Sequence, residues 1–325
     1  MSDRITAPGF YPDFPVKAYH ADPAPTPSLT ASLAQMMFDK SPRHVWANHP
    51  RLNPRWEPSE HKKFAMGNAF HAILLKAGKE LAVAPFANWT TKDAKAFRDA
   101  AIAAGKVPIL EEQNERAREM TEACLDYLAS MKDDDDKPLI ADWQQGAGTG
   151  ELMIAWSEKG GYWYRRLIDW MPKHGRVVWD VKTTEASAAP HAVSDKLVKE
   201  GWCMAAAMTE RGLNSLDRNL AGRRRYRYLC QETDYPYVLT VSDLTEADMT
   251  IGRKMLAMAD DRWRECLDAG PGLEHWPGYG DSILRPEIPA WVETRFLGRE
   301  IDHEESRKVR AQPMKVPAAD HIMGG

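Results

Sequence analysis

Apolar residues recur at two different periods along this 325-residue chain, and the switch between the periods separates helical from extended stretches. Leu33, Met36 and Met37 fall at helical spacing, with Ser28–Thr30 as candidate caps and Ser41-Pro42 as the break. Phe64, Gly67, Phe70, His71, Leu74 and Leu75 repeat that spacing over about Ser59–Lys76, and residues 90–131 do so again, interrupted at Val107-Pro108. The middle of the chain changes character. Glu151–Trp156, Tyr162–Trp170 and Arg176–Lys182 are β-branched and aromatic runs separated by glycine turns, which predicts three adjacent strands of a meander. A helix over about Pro190–Arg211 follows, then strands at 224–231 and Tyr237–Val241 around a turn at Thr233–Pro236, then a long amphipathic helix over Thr245–Ala269. The order predicts an α/β core: a mixed sheet flanked by helices, with a helical N-terminal elaboration. Residues 1–27, rich in Pro, Ala and Asp, read as an extended arm, residues 28–297 as the main domain, and residues 298–325 as a polar, mobile tail.

Composition narrows the class without naming a function. A hydrophobic content of 43% and a charged content of 28% are those of an ordinary globular chain. No apolar run approaches the ~20 residues that cross a bilayer. The start, MSDRITAPGFYPDFP, lacks the basic and apolar regions of a secretory signal, so the cytoplasm is the expected compartment. Cys124, Cys203, Cys230 and Cys266 stand far apart with no close pair, which predicts free, reduced, buried thiols and no iron–sulfur cluster. The run KDDDDKP at 132–138 reads as a solvated loop, because four adjacent carboxylates cannot all face one ion. A net charge of −4 weighs against nucleic-acid binding in bulk, although charge can be local and a metal site must itself be acidic.

Chemistry concentrates in the meander. Asp180 and Lys182 are two apart on a strand and project from one face. Asp169 ends the preceding strand, so an antiparallel neighbour brings its carboxylate toward that of Asp180. Two carboxylates converging at strand ends make an oxygen site for Mg²⁺, and a lysine beside them can orient or deprotonate a water and offset phosphate charge. Asp-x-Lys is a common tripeptide, and acids near strand ends are more often solvated loop residues. Here Thr183 and Thr184 follow the lysine directly, and Trp170 and Trp179 flank the acids. Aromatic walls around charged groups are costly unless those groups bind something. Arg165, Arg166, Thr183 and Thr184 are candidate phosphate contacts, as is the cluster Arg223–Arg225 with Arg227, for which a charged strand edge is the plainer reading.

The motifs GNAFHAILL at 67–75, RRLIDW and WDVKTT, in this order, resemble those of the PD-(D/E)XK nucleases in their RecB-like branch, and more specifically the phage exonuclease VIII (RecE-type) family. The segments YHADPAPTPSLTASLAQMMFDKSPRHVWAN, RYRYLCQETDYPYVLTV and WPGYGDSILRPEIPAWVE extend the resemblance over about residues 10–297. It implies that Asp169 and Asp180 ligate a catalytic Mg²⁺ (Mn²⁺ as a substitute), with the Val181 carbonyl as a further ligand. Lys182 would position or activate the water, and His71 would lie near the metal or the scissile phosphate. Glu151 aligns more loosely as a ligand of a second metal. Gly67, one turn before His71, would let the backbone approach closely. The resemblance further implies a phage- or prophage-encoded enzyme in a bacterial host. Such an enzyme digests one strand of linear double-stranded DNA 5′ to 3′ and hands 3′ tails to a RecT-like single-strand annealing protein. It also implies a ring-shaped homo-oligomer.

The sequence departs from the family on the helix after the lysine. Where the family carries a Gln and, four residues later, a Tyr, the stretch GWCMAAAMTERG offers Met204 and Met208. Methionines at that spacing are usually core packing. Two other functions remain open on the sequence: an endonuclease with the same metal site, and a non-catalytic DNA-binding or assembly protein with a decayed one.

Overall fold

The structure, a computed structural model, describes residues 4–57, 65–78 and 80–311. The described residues fall into two units, divided between Tyr279 and Gly280. The first begins with β1 (Gly9–Tyr11), α1 (Val16–His20) and the short strand β2 (Ser28–Leu29). Helix α2 (Ala31–Asp39) starts on Thr30, whose hydroxyl accepts the Leu33 N–H at 3.3 Å, and Pro42 opens α3 (Pro42–Asn48). Next come α4 (Ala65–Leu75), β3 (Leu81–Ala84), α5 (Lys92–Ala103), β4 (Val107–Leu110) and α6 (Glu111–Ser130). The expected start of α4, at Ser59–Phe64, lies outside the described residues. The meander follows as β5 (Gly148–Ser157), β6 (Trp163–Pro172) and β7 (Val177–Thr184). Helices α7 (Pro190–Lys199) and α8 (Trp202–Leu216), strands β8 (Arg225–Glu232) and β9 (Leu239–Asp243), and helix α9 (Glu246–Ala269) complete the unit. A reciprocal cap fixes the start of α9: Asp248 N–H donates to the Thr245 hydroxyl and Thr245 N–H to the Asp248 carboxylate.

Seven strands form the main sheet in the order β1-β5-β6-β7-β8-β9, with β2 running parallel beside β6. Pairing is antiparallel except at β2–β6 and at β7–β8, where α7 and α8 make the crossover. The mixed sheet with helices on both faces is the α/β architecture expected from the order of elements in the sequence. On one face Ile154, Trp156, Tyr164, Ile168, Val178 and Tyr228 pack against α2, α8 and α9. On the other, Trp170, Trp179, Val181 and Leu229 pack against α4 and α6. Gly252 of α9 lies so close to α8 that a Cβ there would sit 2.1 Å from the Cys203 carbonyl oxygen.

Several expectations change. Residues 4–27 are not a free extended arm: β1 pairs with β5, and Ile5, Phe14, Tyr19 and Ala24 pack beneath Met153, Ala155 and Trp163. The helix expected over Pro190–Arg211 is two helices, because Gly201 takes φ +70° between them. Val107–Leu110 is more than a break, since it pairs as a strand with Leu81–Ala84. In the second unit α10 (Ala290–Ala311) runs through the start of the expected polar tail. The pairs Leu297–Ile301 and Glu304–Lys308, each four apart, support a helix that the interior Gly298 obscures in sequence. Residues 312–325 lie outside the described part. Among the described residues no helix is long and apolar enough to cross a membrane.

Candidate active site

The side-chain alternation of β6 slips at Asp169. Ile168 belongs to the core under α8 and Trp170 to the core under α4, although residues two apart on a regular strand share a face. Across the ladder, Gly150 pairs with Trp170 and Leu152 with Ile168, which sets Glu151 beside Asp169. Glu151 takes φ +49°, a left-handed backbone that is uncommon for any residue but glycine. On the other side, β6 and β7 are in register only at Trp170–Trp179. The acids therefore sit where the sheet opens.

Val181, between Asp180 and Lys182, has both backbone polar groups taken by side chains. Its N–H donates to Asp169 Oδ2 at 2.7 Å, and its carbonyl lies 3.0 Å from His71 Nε2. A carbonyl only accepts, so Nε2 carries the imidazole proton. Helix α4 can come this close because Gly67 lacks a side chain: a Cβ there would stand 2.7 Å from Thr183 Oγ1. Asp180 is held at both oxygens, Oδ1 by the Lys182 ammonium and Oδ2 by the Arg166 guanidinium. Arg166 Nε donates to the Thr209 hydroxyl of α8 at 3.1 Å, and that hydroxyl gives its own proton to the Ala205 carbonyl at 2.8 Å. The Lys182 ammonium also stands 5.9 Å from the centre of the Tyr228 ring.

These contacts set the protonation states. Burial, then the charge of Asp180, pushes the Asp169 carboxyl above the ordinary carboxylate range against the pull of Lys182, His71 and Arg166. Burial acts on Asp180 too, but the Lys182 and Arg166 cations outweigh it and hold the group below that range. For Lys182, burial disfavours the charge, and Asp180 and Asp169 more than restore it. The lysine is thus an ammonium that can position a water or a phosphate, rather than a ready base.

The structure brings together Asp169, Asp180, Val181, Lys182, His71 and Arg166, with Glu151 on the adjoining strand. Arg165 is a correction. Its side chain is 3% exposed, and the guanidinium is consumed by Asp22 at 3.0 Å, the Ser28 carbonyl at 2.8 Å and the Tyr19 carbonyl at 3.1 Å. It cannot reach a phosphate. Arg166 is occupied by Asp180. Thr183 lies under α4, and Thr184 Oγ1 accepts from Lys196 Nζ at 2.7 Å, which adds a cation near the site that the sequence did not single out. Met204 and Met208 are fully buried, and the polar reach of α8 into the site comes from Thr209 instead. A hydroxyl on the apolar face shared with Ala206 and Leu213 is the sequence signal for it, since a buried polar group needs a partner. In the 223–227 cluster, Arg224 pairs with Asp217 and Arg227 with Asp243, the plainer reading. All four cysteines are buried, Cys124 under α4 and the other three in the opposite core.

The donor set fits a hard divalent cation. Two carboxylates converge in a buried setting where the charge of one raises the proton affinity of the other, and a cation would relieve that repulsion. No group of three or more His, Cys, Asp and Glu side chains is arranged to hold a metal among the described residues, so waters would complete the shell. The Val181 carbonyl keeps a second lone pair beside its bond from His71.

Fold and site together define a mixed α/β protein with a paired-carboxylate centre. No family model matches the chain, and no curated protein matches it. Among solved structures, a candidate exonuclease from Eubacterium rectale aligns with a TM-score of 0.50 over 81% of this chain and 91% of its own, at 12% identity. That likeness is one of fold.

Proposed function

We propose that the chain is a metal-dependent deoxyribonuclease that digests one strand of linear double-stranded DNA from an end. The reading is carried by the convergence of Asp169 and Asp180 at the opening between β6 and β7, with the Lys182 ammonium on the same face. The fold likeness to a candidate exonuclease adds support. Asp169 and Asp180 would hold Mg²⁺, or Mn²⁺ in its place, which when bound supplies an activated water and a charge clamp on the phosphate. Lys182 offsets the phosphate's charge and orients the attacking water. His71 and Asp169 fix Val181, and through it the direction of both neighbouring side chains. A 5′-to-3′ polarity, 3′ tails passed to a single-strand annealing partner, and action inside a bacterial cell complete the proposal.

The test uses purified protein with linear and covalently closed duplex, with and without Mg²⁺. Linear DNA should be degraded only with the metal, and a 5′-terminal label should be released early. Asp180→Asn should slow digestion by ~100-fold or more while the unfolding transition persists. Cutting of closed circles would point to an endonuclease. Retention of DNA without any cleavage would point to a binding or assembly protein.

A further inference from the structure

Both oxygens of Asp180 are already in ion pairs, so a divalent cation arriving at this carboxylate must either share an oxygen with a bound cation, against their mutual repulsion, or displace one of the two. The two partners are not equivalent. The Arg166 side chain is 15% exposed and is fastened at a second point, Thr209 on α8, at 3.1 Å. Because the Thr209 hydroxyl proton is committed to the Ala205 carbonyl, its lone pair faces Arg166 and the geometry is fixed by the helix itself. The Lys182 side chain is 33% exposed, and beyond the charges of Asp180 and Asp169 it faces the diffuse Tyr228 ring. A planar guanidinium with two directed bonds costs more to move than an ammonium on a flexible four-carbon stem.

Charge leads to the same view. Asp169 and Asp180 can carry two negative charges, and Arg166 and Lys182 carry two positive ones at the same place. A permanent cation on a metal-ligating carboxylate repels the incoming metal and takes one of the lone-pair directions that the metal would use.

We propose that Arg166 is the fixed counter-cation of the metal site. It holds Oδ2 of Asp180 throughout, weakens the site's grip on a divalent cation, and leaves Lys182 as the group which that cation displaces. The inference rests on the nuclease reading above and assigns Arg166 a positioning role rather than contact with DNA. It gives Lys182 a reason to be mobile: an ammonium released from Asp180 only when the metal is in place is then free for the phosphate or the water.

Calorimetric titration of the DNA-free protein with Mn²⁺ and with Mg²⁺ tests it. Arg166→Met should bind either ion ~10-fold or more tightly than the wild type, while Arg166→Lys, which keeps the charge, should stay within ~3-fold. A merely structural Arg166 would give the opposite sign, since both variants would loosen Asp180 and bind the metal more weakly. A second measurement needs no variant at position 166: ¹³C-methylated lysines are followed by NMR in the wild-type chain, with Lys182→Arg identifying the Lys182 resonance. Added Mg²⁺ should shift that resonance. Equal or weaker binding by Arg166→Met, or a Lys182 resonance unmoved while the wild type binds metal, overturns this inference alone. No metal binding by the wild type would overturn the nuclease reading and this inference together.

Discussion

Arg165 and Arg166 carry the same side chain, and β6 sends them to opposite faces of the sheet. One is sealed against Asp22 beneath the N-terminal segment; the other grips Asp180. Their adjacency reads as a basic patch in sequence, and nothing local says which of the two faces the acids. Asp180 and Lys182 are different: two apart on one strand, they must share a face, and that pair was legible. Asp169 was legible as a neighbour of Asp180, but its bond to the Val181 N–H was not, because it depends on β6 and β7 separating just past Trp170–Trp179. Glu151 shows what strain adds. Its φ of +49° costs any side chain with a Cβ, and a glycine nothing. Glu151→Gly should therefore be more stable than Glu151→Ala by about 1 kcal/mol in urea unfolding, with the lost carboxylate common to both. Equal stabilities would show that the backbone at this position relaxes on substitution and stores no strain. Backbone strain beside paired carboxylates is the kind of local conflict that functional sites retain.

At the scale of elements, long periodic segments were readable and short ones were not. The meander β5–β7, the helices α2 and α9 and the strands β8 and β9 follow from spacing alone. The strands β1, β2, β3 and β4 are 2 to 4 residues long, too short for an alternation to register, and they exist because a partner strand lies beside them. The N-terminal segment depends on one buried cluster. Asp22 accepts from Ser28 N–H at 2.9 Å and pairs with Arg165 at 3.0 Å and His49 at 3.3 Å, with the Arg51 guanidinium close by. The Arg51 N–H donates to His49 Nδ1 at 3.1 Å, so Nε2 carries the proton of a neutral ring. Burial raises the Asp22 carboxyl, but Arg165, His49 and Ser28 outweigh it and hold it at about 2 against an ordinary 3.8. For His49, burial lowers the imidazole below its ordinary 6.5 despite Asp22. Both signs agree. A depressed acid gives stability that is full above 3.8 and is lost as pH falls toward 2, and a depressed base makes the unfolded chain take up its proton first below 6.5. Urea midpoints should thus decline on acidification in two windows, the lower one holding about 2 kcal/mol. Asp22→Asn should flatten that lower window and, by leaving Arg165 buried without its anion, cost ~3–5 kcal/mol at neutral pH. A variant with the wild-type pH profile would remove Asp22 from the account.

For the molecule as a whole the question is how, on the proposed nuclease reading, a chain with a net charge of −4 would retain a polyanion through repeated cleavage. The structure sharpens the problem, because the guanidinium groups of Arg165, Arg166, Arg224 and Arg227 are committed to internal carboxylates. An open groove on a chain with so little excess positive charge should release DNA quickly at physiological salt, since affinity falls steeply as counterions return. A closed ring of subunits around the duplex removes that dependence, because release then requires an interface to open or an end to be reached. Helix α9 and the segment after it differ in the apolar surface they could offer such an interface. Helix α9 buries Met249, Met255, Leu256 and Trp263 in its own unit and leaves Ile251 and Met258 outside, and Trp276 is wholly buried. The stretch beyond it exposes Ile283, Leu284, Ile288 and Trp291. The expected outcome of light scattering on the purified protein is a mass that is a multiple of 36.7 kDa. A trap-challenged single-turnover digestion should then remain processive as salt is raised, because topology rather than charge retains the substrate. A monomer that still degrades long DNA processively past the trap would rule out the ring and place retention on a positive DNA path built from basic residues other than Arg165, Arg166, Arg224 and Arg227.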